Sequence, residues 1–346
     1  MKADPQMTLT AAHPGRNPVT RKDVARYAGV STAVVSYVVN SGPKKVAPAT
    51  EARVLEAIRV LGYRPNAAAR ALKLGSTEML GLVIPDNTNT FFAELSHAIE
   101  DAANELGYAL LLTNSNSTVA KERKHVRNLL SRQVDGLLLA SVESDPHLEQ
   151  VVEAGIPTVL LNRYEPAEGF ASIGVDLTQG AVAAVEHLIG HGHTNIGLVV
   201  GTGSQESMDG REDGWLMALK KAHLPEGPMM RVPFTLQGGY SAGIRLVASH
   251  QRPTAIFVSS DMQAIGVLRA LHEADLRVPE DVAVVSFDGS PDSEYSWPAL
   301  TSIRQPIHAM AEAAVRTLLD PMAAAEHTIF PTEMVIRQSC GCASVR

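Results

Sequence analysis

The sequence predicts an α/β protein, with a small helical N-terminal domain followed by a long core of parallel β-sheets covered by helices. Three observations carry this reading. From Met79 onward, short β-rich runs alternate with amphipathic helical stretches, the pattern of repeated βα units. The first 75 residues show helical periodicity only, punctuated by Gly and Pro. Charge is segregated along the same boundary: residues 1–75 hold twelve Lys and Arg against four Asp and Glu, and the remainder holds 18 against 33. The 346 residues, 45% of them apolar and 19% charged, suffice for two or three domain cores.

Residues 1–18 mix Pro, Gly and polar side chains without the apolar run of a signal peptide, and read as a flexible extension. Thr20-Arg21-Lys22-Asp23 is a capping-box pattern that opens a first helix, which Gly29 ends. Ser31 offers the cap of a second helix, followed by Val34, Val35, Val38 and Val39 at helical spacing. A third helix runs from about Pro48 to Gly62, with Val54, Leu55, Ile58 and Leu61 as its apolar stripe. Three short helices with a glycine turn between the first two make a helix-turn-helix. That geometry aims the start of the second helix at base edges and leaves Thr32, Ala33, Ser36 and Tyr37 exposed. A basic arm on an acidic body fits one segment that meets phosphates and a bulk that repels them. After Pro65, Ala67 to Leu72 favours helix and Gly75 stops it; so short a helix is marginal alone and is suited to folding on a partner.

The remaining chain supplies strands at Leu80–Pro85, Tyr108–Thr113, Gly136–Ala140, Pro157–Leu161, Ile196–Val200, Thr254–Ser259 and Val282–Phe287, with helices such as Phe92–Leu106 and Ala181–Ile189 between them. Ligands of open α/β sheets sit beyond the carboxyl ends of strands. Those ends carry Asp86, Asn87, Asn89, Phe91 and Phe92, then Asn114, Ser141, Asn162 and Arg163, and later Ser207, Arg211, Asp261 and Asp288. Carboxylates and an arginine for hydroxyls or ring nitrogens, with aromatics for apolar faces, suit a sugar or nucleobase.

Three blocks, V-T-x-x-D-V-A-x-x-A-G-V-S (Val19 to Ser31), V-S-x-V-V-N (Val35 to Asn40) and L-G-Y-x-P-N-x-x-A-R-x-L (Leu61 to Leu72), resemble the lactose-repressor/galactose-repressor family. The resemblance extends over nearly the whole chain from Val19. It implies a helix-turn-helix over 19–64, a hinge helix over 65–77 and a core over 78–346 like that of periplasmic sugar-binding proteins. In that core the first subdomain would span 78–176 and 304–332, the second 177–303 and 333–346. The family's alanine-rich segment forms on operator DNA and wedges a leucine, here Leu72, into the minor groove. Thr20, Arg21, Asn40, Asn66, Ala69 and Arg70 join the expected DNA-facing set. Arg211 in R-x-x-G-W and Asp288 in S-F-D match the family's effector contacts; Phe91, Phe92, Ser207 and Phe234 match positions that touch ligand in some members. A cytoplasmic homodimer on a near-palindromic operator, switched by a sugar-like effector and needing no cofactor, is what the family implies, with repression its default. Tyr37 stands where Arg is frequent and Ala47 where Ser often caps. Leu177, Ser260 and Gly289 replace common pocket-flanking residues, so the effector is not carried over from any relative.

Other patterns point elsewhere. His187, His191 and His193 stand where a helix ends near Gly192, and read as structural. Cys340-Gly341-Cys342, which holds both cysteines, cannot by itself staple a fold or complete a tetrahedral metal site. Gly201-Thr202-Gly203 lacks the third glycine and later acidic residue of a dinucleotide fingerprint. No serine elbow, Walker loop or H-E-x-x-H occurs, and no window approaches the roughly 20 apolar residues of a membrane span. A solute-binding protein would share the two-lobed core but needs export. A sugar-acting α/β enzyme would need an acid/base pair, for which only Asp288 with Asp261 offers itself.

Overall fold

The computed structural model describes residues 19–39, 45–141, 148–163, 166–202, 209–320 and 326–342. They divide into two compact units, one ending at Thr77 and the other beginning at Glu78.

The first unit holds α1 (Arg21–Ala28), α2 (Thr32–Val39), α3 (Pro48–Leu61) and α4 (Ala67–Leu74). Asp23 accepts hydrogen bonds from the Thr20 N–H at 2.9 Å and from its hydroxyl at 2.6 Å, which fixes the start of α1. Gly29, at φ 65°, takes the left-handed geometry that turns the chain toward α2, whose first turn Ser31 caps through Val34 N–H. Val24, Ala25, Ala28, Val35, Val54, Ala57 and Tyr63 form the core of the three helices. Leu55 departs from the expected stripe. It is 52% exposed, because Val54 and Ala57, three apart, already take the inward face of α3 and leave their neighbour turned outward. α4 is a complete two-turn helix, opened by the Asn66 side chain bonding Ala69 N–H and closed by Gly75.

The second unit begins with β1 (Met79–Ile84), α5 (Thr90–Glu105), β2 (Ala109–Asn114), α6 (Val119–Ser131), β3 (Gly136–Leu139), α7 (Glu149–Ala154), β4 (Thr158–Leu161) and β5 (Ala171–Val175). It continues through α8 (Leu177–Gly190), β6 (Ile196–Gly201), α9 (Gly210–Lys221), β7 (Met229–Val232), α10 (Leu236–Val247), β8 (Ala255–Val258), α11 (Asp261–Glu273), β9 (Ala283–Asp288), α12 (Pro291–Tyr295) and β10 (Thr301–Arg304). α13 (Ile307–Leu319), β11 (His327–Phe330) and β12 (Glu333–Val335) complete it.

Among the described residues these strands form two six-stranded sheets, with orders β11-β5-β4-β3-β1-β2 and β12-β10-β9-β8-β6-β7. Every pairing is parallel except β10 with β12. Among the described residues the chain passes between the sheets three times: after Val175, after Arg304, and between Phe330 and Glu333. Both sheets reverse their strand order at the same place, between β1 and β3 in one and β6 and β8 in the other. Crevices open at such reversals, because the connections on either side leave toward opposite faces. The strands β5, β7, β10, β11 and β12 are absent from the sequence expectation. They are short, and the pattern of β7, β11 and β12 is of partly exposed edge positions that lack a continuous apolar run.

Val54→Ala is expected to lower the stability of the first unit by about 2 kcal/mol, through lost burial and a cavity, and Leu55→Ala by under about 0.5 kcal/mol. Urea unfolding of the two variants, followed by circular dichroism, checks the contrast.

Candidate ligand-binding site and nucleic-acid interface

In the first unit the expected DNA-facing residues divide by exposure. Thr20, Arg21, Thr32 and Ala33 are exposed, whereas Ser36 and Tyr37 are half-buried along α2. Asn66, Ala69 and Arg70 are exposed on or beside α4, where Asn66 also caps the helix. Leu72 stands out at 89% exposure, an apolar side chain held in water on a folded helix. Asn40 lies outside the described residues, as does Ser207 in the second unit.

In the second unit, Arg211 spans the strand-order reversal of the β6 sheet. It sits in the first turn of α9, which follows β6, and its Nη1 donates to Ser259 O, just past β8, at 2.7 Å. Asp209 caps α9 through Arg211 N–H and also holds the guanidinium bidentately, at 2.9 and 2.7 Å. The rings of Phe234 and Phe287 lie 5.1 and 5.6 Å from the guanidinium carbon. Phe234 can lie there because residue 201 is glycine: a Cβ at that position would come 1.9 Å from the ring. Burial opposes charge on both partners, yet their pairing holds Asp209 below the ordinary carboxylate range and Arg211 above its own. The result is a fixed, oriented cation.

Asp288 ends β9 with φ 110°, a left-handed backbone that costs an L-residue of order 1–3 kcal/mol and must be held by its surroundings. Its Oδ1 accepts from Gln305 Nε2 at 3.0 Å. Burial first, then the neighbouring Asp261, push its carboxyl well above the ordinary value, against the pull of Arg211. Asp261 itself is sequestered: Oδ1 accepts from Ser286 and Ser302 hydroxyls at 2.5 and 2.7 Å, and Oδ2 from Ser290 N–H and hydroxyl at 2.6 and 2.8 Å. Four bonds saturate its lone pairs. Its place is under the Asp288 turn, holding it.

The other sheet contributes differently. Asn89 is buried and spends its carboxamide on capping α5 through Phe91 N–H. Phe91 is a core residue, and half-buried Phe92 meets it edge-on with centroids 5.0 Å apart. Asn162 and Arg163 follow β4 half-buried, Asn162 at φ 55°. Asn114 accepts from Asn87 N–H, Asp86 from Thr88 N–H, and Ser141 donates to Glu122, so these strand ends tie their own loops. Sequence reasoning missed Asp209, Gln305, Ser259 and Glu94. Glu94, on α5, has Oε2 buried without a partner among the described residues; burial raises its carboxyl against the fields of His308 and Arg304. A D-x-R spacing at a helix start was a readable signal for Asp209; the others depend on contacts between distant segments.

Asp288→Asn tests this electrostatic reading. A carboxyl raised in the folded state destabilises it progressively as pH climbs above the unfolded value, and the amide removes that cost while keeping an acceptor for Gln305. The ligand-free variant should therefore unfold at a higher temperature than the parent at pH 8, with the gap closing as pH falls toward about 4. Parallel thermal melts across that range check it.

Comparison with known proteins places this geometry. Residues 20–66 match the family model of bacterial regulatory proteins of the lacI family, and residues 185–340 match that of a periplasmic binding protein-like domain. The chain is 38% identical over 304 residues to catabolite control protein A of Priestia megaterium, covering 87% of this chain and 91% of that protein. It is 35% identical over 305 residues to the ribose operon repressor of Escherichia coli K12, covering 87% and 92%. Its structure superimposes on a lac repressor dimer bound to operator and the anti-inducer ONPF with a TM-score of 0.82 at 29% identity, over 94% of this chain and 99% of that one. The helix-turn-helix, the paired parallel sheets and these likenesses together make the chain a member of the lacI family of bacterial transcription regulators, and not an enzyme.

Proposed function

We propose that this regulator represses transcription from a near-palindromic operator, which it binds as a cytoplasmic homodimer, and that a sugar or related polar metabolite held in the second unit sets its operator affinity. The observation that carries the ligand half is Arg211, a preorganised cation laid across a strand-order reversal, with two aromatic rings beside it and the Asp288 carboxylate within its field. Cation, carboxylate and ring faces together are the groups that recognise a hydroxyl-rich ring. The exposed first turn of α2 on a basic unit supports the DNA half. One helix-turn-helix reads too few bases to find a genomic site, so a two-fold pair is required; the operator-bound lac repressor dimer supports that arrangement. No described helix is long and apolar enough to cross a membrane, and a regulator acts where the DNA is.

The ligand works by binding two conformations unequally, and DNA must alter ligand affinity by the same factor. Leu72 is the mechanical end of that coupling. An exposed leucine on α4 that enters a minor-groove step unstacks and bends the duplex.

Selection of duplexes from random DNA at two salt concentrations is expected to recover a palindrome with steep salt dependence. No enrichment, with or without added metabolite pools, would overturn the regulator's DNA reading. Leu72→Ala should weaken operator binding and reduce bending in a permuted-site gel assay; undiminished bending sinks the wedge. Arg211→Ala should cost about 2–5 kcal/mol in effector binding, at least about 30-fold in Kd, while ligand-free operator binding persists. An effector response retained in both Arg211→Ala and Asp288→Ala places the ligand elsewhere.

A further inference from the structure

A second group of chemistry-bearing side chains lies apart from Arg211, at the other end of α8. His187 and His191 stand one helical turn apart at its C-terminal end, and beyond β12 the chain turns through Cys340, Gly341 and Cys342. One ligand atom from each of the four lies within 4.8 Å of all the others. His191 Nε2 is 3.2 Å from Cys342 Sγ, His187 Nε2 is 3.6 Å from the same sulfur, and the two imidazoles meet edge-on at 4.8 Å. Bonds of about 2.3 Å to sulfur and about 2.0–2.1 Å to nitrogen give a tetrahedral zinc site ligand-to-ligand edges of roughly 3.3–3.8 Å. The measured nitrogen–sulfur contacts already lie close to those edges, so small side-chain rotations close the figure.

The tail that brings the cysteines is anchored independently. Ser339 replaces a strand partner, with its hydroxyl donating to Val284 O at 2.6 Å and accepting from Thr301 N–H at 2.8 Å. Thr301 Oγ1 then donates to Cys340 Sγ at 3.1 Å, the kind of bond that orients a metal-bound thiolate. Cys340 is buried, His187 and Cys342 are partly exposed and His191 is exposed, which leaves an ion a path in. His193, by contrast, is turned away and bonds Thr254 Oγ1 at 3.0 Å.

We propose that His187, His191, Cys340 and Cys342 form a closed two-histidine, two-cysteine site for a zinc-class divalent ion, which clamps the segment after β12 to α8. Two thiolates and two imidazoles select such an ion over magnesium or calcium, and four protein ligands leave no open position, so the ion's role is structural. The proposed site gives two of the histidines that read as structural in the sequence a metal-holding role. Neither the C-x-C nor the histidine pair suffices, and the fold supplies each with the other.

The test uses the full-length chain without an affinity tag, reduced and stripped with a chelator, then titrated with cobalt(II) and zinc(II). One cobalt per chain should bind with tetrahedral d–d bands and a thiolate charge-transfer band, zinc should displace it, and zinc should raise the unfolding temperature. Cys342→Ser and His191→Ala, at the two more exposed corners, should each weaken cobalt binding by more than about 100-fold, beyond the 10–100-fold typical of losing a group that only orients a ligand. His193→Ala should bind like the parent, and circular dichroism should show all variants folded. Absence of a thiolate–cobalt band in the reduced parent, or an unchanged band in the folded Cys342→Ser/His191→Ala double variant, overturns the proposal.

Discussion

The strand ends around Asp288 in the second unit depend on the burial of one carboxyl group, that of Asp261. Taking a carboxylate out of water costs several kcal/mol, and burial pushes the Asp261 carboxyl above its ordinary value while the hydrogen bonds it accepts pull the other way. The compensation is four hydrogen bonds from three serines and a position in the first turn of α11, where the helix dipole favours negative charge. Those serines belong to β9, to the turn after it and to β10. One buried charge thus fixes two strands and the turn between β9 and α12. Asp288 keeps its φ of 110° because Ser290, two residues on, is tied twice to Asp261. The strained Asp288 turn is therefore held in place by a buried carboxyl group whose own hydrogen-bonding capacity is already spent.

Much of this was legible in the sequence, and the divide between what was and what was not follows contact range. Thr20, Ser31, Gly62, Asn66 and Gly75 set helix ends through bonds to residues within four positions, and Pro48 through its own fixed φ in the first turn of α3, so their meaning is local and readable. That Arg211 and Asp288 lie together follows from the strand-end rule, because a parallel sheet places all its carboxyl ends at one edge. The same rule put Asp261 in the ligand set, and there it stops: which way a side chain turns at a strand end depends on Ser286, Ser290 and Ser302, which are 25 to 41 residues away. Edge strands such as β7 and β11 carry no continuous apolar run, since only part of each is covered, and periodicity alone passes over them. The histidine–cysteine cluster joins positions 151 and 155 residues apart, beyond any spacing rule.

The two sheets share one strand order but have been put to different use. In the β6 sheet the polar strand ends converge: Arg211, Ser259, Asp288 and Gln305 bond one another or lie in each other's fields. In the β1 sheet the corresponding side chains mostly close their own loops, with Asn89 capping α5 and Asn114 holding Asn87. What that sheet offers is apolar surface at Phe92 and Glu94, whose Oε2 is buried without a hydrogen-bond partner among the described residues. If the ligand lies where we propose, its charged anchors come from one side and mostly apolar contacts from the other.

α8 connects the two regions physically. Near its start Gly180 sits so close to the Phe287 ring that a Cβ there would fall 2.7 Å from it, and Phe287 is one of the rings beside Arg211. At its end are His187 and His191, facing the cysteines of a tail that is bonded to β9 and β10 through Ser339. A helix is stiff along its axis, so whatever fixes its last turn also limits how its first turn moves under Phe287. The proposed metal clamp at one end and the Arg211 cluster at the other would then draw on the same rigid element. Coupling between them needs no chain of intermediates beyond the helix itself, and its sign is set by whether the clamped position of α8 is the one in which Phe287 and Phe234 frame the guanidinium.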